Sequence, residues 1–487
     1  MQQNKVGEQK WFRLFGRFSI GCLSIVYIFF SSSVYAQSFE NFKRSEINAF
    51  QEYKDKKDTE FSHYLKIQWQ EYTSQYSQAL YRKKKPQAIP HTRPKKIKSV
   101  GPIISIKIEK IKPQKPKVKI KTLKQDIHFL FFGEDIGFNI DKNYKKARFY
   151  PQSQVGISNF FNTLALSNYE STLNDLKRVK KTLNLNDWGL YLLIQDLSKQ
   201  LYSYEDERKL FSWFFFNKLG YEVKIGISSK HVVLMHYSDK IIYSTPNYEF
   251  NKKKYYVISK YAQEFSHKVY TYKQNYPGAY KPLDLALQEL PKLKKDMKMK
   301  KLSFKEFGKT YTIPYQYNKN LIDFMATYPQ ADYETYFNTP LSLLAYDELA
   351  EGIKKYVDTK KASVAINFVL HFVQKAFKYE VDQKQFAREK VMFANETLFY
   401  QKSDCEDRAI LFARLIKHMF SISVVGVKYS DHMATALYIP LKGESVKAGN
   451  RRFIIADPTY INANIGQSMP KYSGKIPENF IYLQGTL

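Results

Sequence analysis

The sequence YQKSDCEDRAILFARLIKHMF (Tyr400–Phe420), followed by VVGVKYSDHMATALYIP (Val424–Pro440) and RRFIIADPTY (Arg451–Tyr460), decides the fold class of the C-terminal third. Leu411, Phe412, Leu415, Ile416 and Met419 recur at helical spacing, so a helix begins near Cys405 and buries that face. Asp404, Glu406 and Asp407 fall in its first turn, where acidic groups suit the positive end of the helix dipole. A thiol there gains the same help, because free N–H groups and the dipole favour the thiolate. Those N–H groups can also hold an oxyanion. Val424–Val427, Met433–Ile439 and Phe453–Ala456 read as buried strands. The order is a helix-borne Cys405, a strand-borne His432 and a strand-end Asp457. It supplies a nucleophile, a base and a group that orients the base.

Three blocks, SDCEDRAILFARLI, DHMATAL and ADPTY, resemble in order the pattern of the bacterial transglutaminase-like superfamily. The resemblance covers Leu341 to Pro470 and implies a papain-like cysteine peptidase or acyltransferase fold. It implies that Cys405 is the nucleophile, His432 the general base and acid, and Asp457 the residue that fixes the imidazole tautomer. The sequence departs from the family pattern at Ser403, where Gly is common, and at Met433 after the His. It also lacks the Gly-Gln-Cys-Trp block of animal transglutaminases, so the resemblance implies thiol-based acyl chemistry and not crosslinking as such. Singly, each residue has a plainer role: a small core thiol, a hydrogen-bonded core His, an Asp-Pro turn. Tyr400 and Gln401, just upstream of the thiol, are candidate oxyanion donors or loop residues. Asp404 and Asp407 are candidate helix-positioning groups, and Tyr460 a packing residue.

The chain has two cysteines, Cys22 and Cys405. Residues 1–36 carry Lys5, Lys10, Arg13 and Arg17, then the apolar run Phe18–Phe30 and a Val34-Tyr35-Ala36 end, the pattern of a secretory signal peptide. Its removal leaves one thiol in an oxidising compartment, unable to form an internal disulfide. The expected location is periplasmic or extracellular, associated with the cell envelope. The net charge of +31, or +28 without residues 1–36, suits an anionic envelope surface or a solvated basic face. Export argues against nucleic acid as a partner. The expected partner is a protein or peptide substrate of the envelope.

The expected organisation after the signal peptide has five parts. Residues 37–81 form a long helix and 82–125 a basic linker with short strands. A degenerate transglutaminase-like unit occupies 126–260, a connector with a β-rich segment 261–338, and the catalytic domain 339–487. Ser38–Tyr81 lacks Gly and Pro and repeats at eleven residues, with Phe39, Phe50, Phe61 and Tyr72 in one row and Phe42, Tyr53 and Tyr64 in another. Such a period gives one long helix or a right-handed supercoil, a stalk or homo-oligomer seam or a helix laid on the body. Arg82–Lys98 (RKKKPQAIPHTRPKKIK) reads as a Pro-broken spacer, and Ile103–Leu123 as one or two Lys-covered strands.

Ile127–Ile140 reads as a hairpin at Gly133, followed by helices over Gly156–Ser167, Tyr169–Thr182 and Asp187–Leu201. YEDERKLFSWFFFNKLGYEVKIG, from Tyr204, aligns with the Cys405 stretch at an offset of 201, with Tyr204 on Cys405 and His231 on His432. IIYSTPNY lies over IIADPTY and puts Thr245 at the acid position. This middle stretch is therefore either a transglutaminase-like unit stripped of its chemistry or a chance match of helix and strands. After a basic connector, Leu302–Phe337 holds strand-like FKEFGKTYTIPYQYN. Pro340 opens a helix over Leu341–Val357, a second runs Ala362–Tyr379, and Glu396–Asp404 is a loop. Helices before a Cys-bearing helix before a sheet give an α+β fold. The nine His residues show no HExxH pair and the chain has no CxxC or phosphate loop, so no metal or cofactor is expected. The expected activity is hydrolysis of an amide through a thioester. Amine transfer, or a non-enzymatic scaffold with a relic triad, are the alternatives.

Overall fold

The computed structural model describes residues 21–106, 108, 125–258 and 268–485. Most of the expected signal peptide and of the Ile103–Leu123 strands lies outside the described residues. Within that second segment, Ile103 makes a single bridge to Lys361. The chain divides into Met1–Glu60 and Phe61–Leu487. In the first unit the backbone is helical from Gly21, and Phe42, Ile47 and Tyr53 are exposed. No described helix is long and apolar enough to cross a membrane.

The helix ends at Tyr64 and not near Tyr81. Trp69–Thr73 is instead a strand, paired antiparallel with Lys268–Tyr272, and Tyr72 of the eleven-residue row lies on it. Trp, Tyr and Thr favour strands, and here a non-local partner decides the matter. The Trp69 ring packs on Tyr270 and Tyr272, and its Nε1–H donates to the Leu65 carbonyl just past the helix end.

The second unit is mixed α+β and holds two antiparallel sheets of the same plan. In the middle of the chain, Glu205–Lys218 is a helix followed by strands Val223–Ser228, His231–Tyr237, Pro246–Phe250, Lys253–Tyr256 and Lys268–Tyr272. Near the C-terminus, Cys405–Phe420 is a helix followed by Val424–Lys428, Met433–Leu437, Ser445–Ala448, Arg451–Ala456 and Asn479–Tyr482. Counted from its own first strand, each set of five lies in the order third, fourth, second, first, fifth. The register agrees as well. Val223 pairs with His236 as Val424 pairs with Leu437, and all five pairs of the C-terminal hairpin keep the offset of 201.

The match corrects one alignment. Thr245 leads into the third strand of its sheet, whereas Asp457 follows the fourth of the other. His236 pairs with Tyr256 and Leu437 with Ile454, so the fourth strands run at an offset of 198. At that offset Asp457 aligns with position 259, a Ser outside the described residues, and not with Thr245. The middle sheet also extends past residue 260: it includes Lys268–Tyr272, and Trp69–Thr73 and Gln75–Tyr76 lie at its edges.

Each sheet buries one face on the main core and the other in a smaller cluster: Val233, Met235 and Tyr248 in one, Val425, Phe453 and Ile455 in the other. Helices Tyr169–Thr182 and Asp187–Leu201 lie where their periodicity puts them, and Gln154–Ala165 lies two residues before its expected span of Gly156–Ser167. The hairpin Met297–Glu306 with Lys309–Asn318 forms the β-rich part of the connector. Helix Leu343–Val357 starts after Pro340, with Ser342 as its cap, and Ala362–Ala376 follows. Truncating Trp69 to Ala should cost about 3–5 kcal/mol in urea unfolding, because it empties an aromatic site that joins helix end to sheet edge. A loss below about 1 kcal/mol would mean that this strand contributes little to the second unit.

Candidate active site

Cys405 is the first residue of its helix, which is buried on nearly all sides. The backbone N–H of Asp404 donates to Asp407 Oδ2 (3.2 Å), closing the first turn, and Asp407 Oδ1 accepts from the Met392 N–H (2.8 Å). Arg408, wholly buried, donates to Ser403 Oγ and to the carbonyls of Gln374 and Phe377 at the end of helix Ala362–Ala376. The same helix end also holds the loop after Asp457: Gln374 Nε2–H donates to the carbonyls of Asp457 (3.0 Å) and Ala463 (3.1 Å). One helix thus fixes both the Cys405 turn and the Asp457 loop.

His432 immediately precedes the strand Met433–Leu437 and is wholly buried. Its Nε2 lies 2.9 Å from Asp457 Oδ2, while Asp457 Oδ1 accepts the Thr459 N–H (2.9 Å). A carboxylate acceptor at Nε2 calls for the Nε2–H tautomer, which leaves Nδ1 as a lone pair. That Nδ1 is buried and has no hydrogen-bond partner. The imidazole stacks on Tyr472 (4.7 Å, 18°), whose hydroxyl donates to Asp431 (3.0 Å). Burial, Asp431, Cys405 and Asp457 all push the Tyr472 phenol up, so the thiol and Asp457 both lie within its electrostatic reach.

Arg82–Lys98, expected to be a spacer, is a strap across this site. Its Lys83 N–H donates to the Ser430 carbonyl (3.0 Å), and Thr92 N–H to that of Ile461 (3.0 Å). Ile461 N–H returns to the Pro90 carbonyl (3.2 Å), and Tyr379 hydroxyl donates to the Pro86 carbonyl (2.7 Å). Tyr81 hydroxyl lies 3.8 Å from Cys405 Sγ and donates to Glu406 Oε2 (3.0 Å). Lys85 Nζ, buried, contacts Asp382 and Glu406 at 2.8 Å, Glu389 at 2.9 Å, and Asp404. Asp382, Glu389 and Glu406 are spaced as metal ligands could be, but the Lys85 ammonium occupies their meeting point.

This cluster inverts the electrostatics expected at the helix start. The thiol donates to Glu406 Oε2 (3.1 Å), and burial, Glu406 and Asp404 push its pKa up against the pull of Lys85. The helix N-terminus therefore carries a protonated, sheltered thiol and not the thiolate expected from the dipole. Burial would also push Glu406 up, yet Lys85 and the thiol bring it below the usual carboxylate value. Asp404 is raised by burial and by Glu406, and Asp407 by burial, Asp382 and Glu406.

The other expected residues are not gathered at the thiol. Tyr400 packs on Phe386 and Phe399, and Gln401 is exposed with its carbonyl accepting from Lys378 N–H. Both follow a short helix, Ala394–Phe399, where a loop was expected, and they offer the thiol no oxyanion donor. Tyr460 packs against the outer cluster of the C-terminal sheet. Sequence reading missed Tyr81, Lys85, Glu406 as thiol acceptor, and Gln374. Only Gln374 had a signal: with Ser363, Asn367 and His371 it forms a polar row at helical spacing on a helix that is otherwise largely apolar.

In the middle sheet, His231 occupies the register position of His432, but it is exposed and its Nδ1 faces Asp206 Oδ2 (3.2 Å). Tyr204, at the cap of its helix, is exposed too. No protein-family model, curated protein or solved structure matches the chain.

The buried carboxylates set a pH test. Burial pushes Asp382 up to about 6 from 3.8, with Glu406 adding to it and Lys85 opposing. A raised carboxyl pKa means that the folded chain keeps a proton the unfolded chain has released. Stability therefore falls as pH rises from about 4 to about 6, by at most about 3 kcal/mol. Asp382→Asn should flatten the stability profile in that window by urea titration. An unchanged slope would assign the titration elsewhere.

Proposed function

We propose that the chain is an exported cysteine-dependent amide hydrolase of the transglutaminase-like type, a peptidase or amidase working through a thioester. The observation that carries the reading is the buried His432, with Nε2 on Asp457 and Nδ1 left free. A base oriented on one side and vacant on the other is what a thiol proton needs. Further support comes from Cys405 at a helix start and from one helix end that braces the Cys405 turn and the Asp457 loop. In this reading the C-terminal domain has a papain-like fold, and the middle sheet is its degenerate copy.

The reaction begins when the strap withdraws. His432 Nδ1 takes the thiol proton, and the Cys405 sulfur attacks the amide carbon to give a tetrahedral oxyanion. Backbone N–H groups of the first helical turn face that oxygen. Collapse breaks the C–N bond, His432 gives its proton to the departing amine, and a thioester remains. Water, deprotonated by His432, then releases the acid and restores the thiol. An amine in place of water would give transfer. The fully buried thiol favours a second reading, a non-enzymatic envelope scaffold with a relic site.

Two variants separate these readings. With a quenched peptide library, Cys405→Ala should abolish cleavage, and Asp457→Asn should lower kcat at least about a hundredfold by losing the required tautomer. Excess labelled primary amine should add little to the products. Efficient amine incorporation would make the enzyme a transferase, and cleavage that survives Cys405→Ala would remove the nucleophile assignment.

A further inference from the structure

We propose that the carboxylate pocket beside Cys405 is a recognition subsite for the ammonium group of a lysine side chain, and that Lys85 fills it as an internal pseudosubstrate. The proposal rests on the reading of Cys405 as nucleophile and names the substrate class: an extended peptide segment bearing lysine.

The strap is held as a bound peptide would be. Its main chain pairs with Ser430, two residues before His432, and with Ile461, four after Asp457. Main-chain pairing of this kind is open to any extended segment, and pockets for particular side chains supply selectivity. Of three consecutive lysines, Lys83 and Lys84 are exposed and Lys85 alone is buried. The pocket therefore selects one side chain and sets the register of the strap.

The acceptors belong to the catalytic domain and not to the strap. Asp382, Glu389, and the pair Asp404 and Glu406 come from separate segments and converge on Lys85 Nζ. Contacts of 2.8–2.9 Å from Lys85 Nζ to Asp382, Glu406 and Glu389 suit charge-assisted N–H···O bonds. A bare pocket would leave Asp382, Asp404 and Glu406 buried without a counter-charge, so withdrawal of Lys85 calls for another cation or for protons on these carboxylates. Glu406 links the pocket to the chemistry: its Oε1 holds the ammonium and its Oε2 the thiol and Tyr81. Asp404 Oδ1 and His432 Nδ1, both buried and unpartnered, are the polar atoms left waiting. An ammonium held this way is protonated and is no nucleophile; the pocket reads a side chain and does not accept an acyl group.

The test uses the full chain carrying Lys85→Met and Cys405→Ser, so that binding is scored without turnover. A fluorescein-labelled peptide ALYRKKKPQAIPHT is compared by anisotropy with the same peptide bearing norleucine in place of its third lysine. The lysine peptide should bind at least about thirtyfold tighter, the loss expected when one partner of a buried charge pair is removed. Equal binding, or none by either peptide, would overturn the subsite while leaving the peptide-cleavage results of the nucleophile variants untouched. Should Lys85→Met fold poorly, the thermal midpoint of Lys85→Ala is read with n-butylammonium, n-butanol or Ca²⁺ at tens of millimolar. Stabilisation by the ammonium alone supports the subsite. Stabilisation by Ca²⁺ and not by the amine would make the pocket a metal site.

Discussion

Everything at the Cys405 end of the molecule depends on one buried ammonium. Lys85 is the counter-charge for carboxylates from three segments, and each of those segments also shapes the site. Removing one member of such a cluster leaves buried charge uncompensated, at about 3–5 kcal/mol. That energy pins the strap in one register, and the strap in turn covers the thiol through Tyr81. The same carboxylates push the thiol pKa up. Structural cohesion and chemical silence therefore have a common cause, and any opening that exposes the thiol must first resettle the pocket's charge.

The second theme is a plan shared by two sheets. Five strands of each sheet share an order and an offset register, and each set is preceded by a helix packed against its second strand. The middle sheet keeps a His at the matching position but exposes it beside Asp206, and its helix is capped by Tyr204. In the C-terminal sheet the matching His is enclosed by Asp457 and Tyr472. The difference between the two lies in what covers the helix start: the strap seals one, and solvent reaches the other.

How much of this was legible depends on whether a segment's structure is decided locally. The Cys405 helix and its strands follow from their own periodicity, as do helices Tyr169–Thr182 and Asp187–Leu201. Ser38–Tyr81 misled because the helical row continued through Tyr72, while a strand more than a hundred residues away claimed Trp69–Thr73. Thr245 was matched to the wrong strand because the middle unit is three residues longer between its second and fourth strands. Lys85 could not be told from Lys83 or Lys84, since composition made all three a solvated run and only the tertiary pocket distinguishes them. Cys405, His432 and Asp457 were legible as types in order. That His432 is oriented by Asp457 on one side and vacant on the other is a statement about geometry, which no spacing contains.

The central claim is that a competent nucleophile is held silent by the strap. Alkylation of Cys405 by iodoacetamide at pH 7.5, followed by intact mass, tests it most directly. The native chain should react more slowly than free cysteine, and Tyr81→Ala should speed it roughly tenfold or more, as a weakening of the closed state by about 1.4 kcal/mol would. A native thiol that reacts as fast as free cysteine, or one indifferent to Tyr81→Ala, would contradict the account.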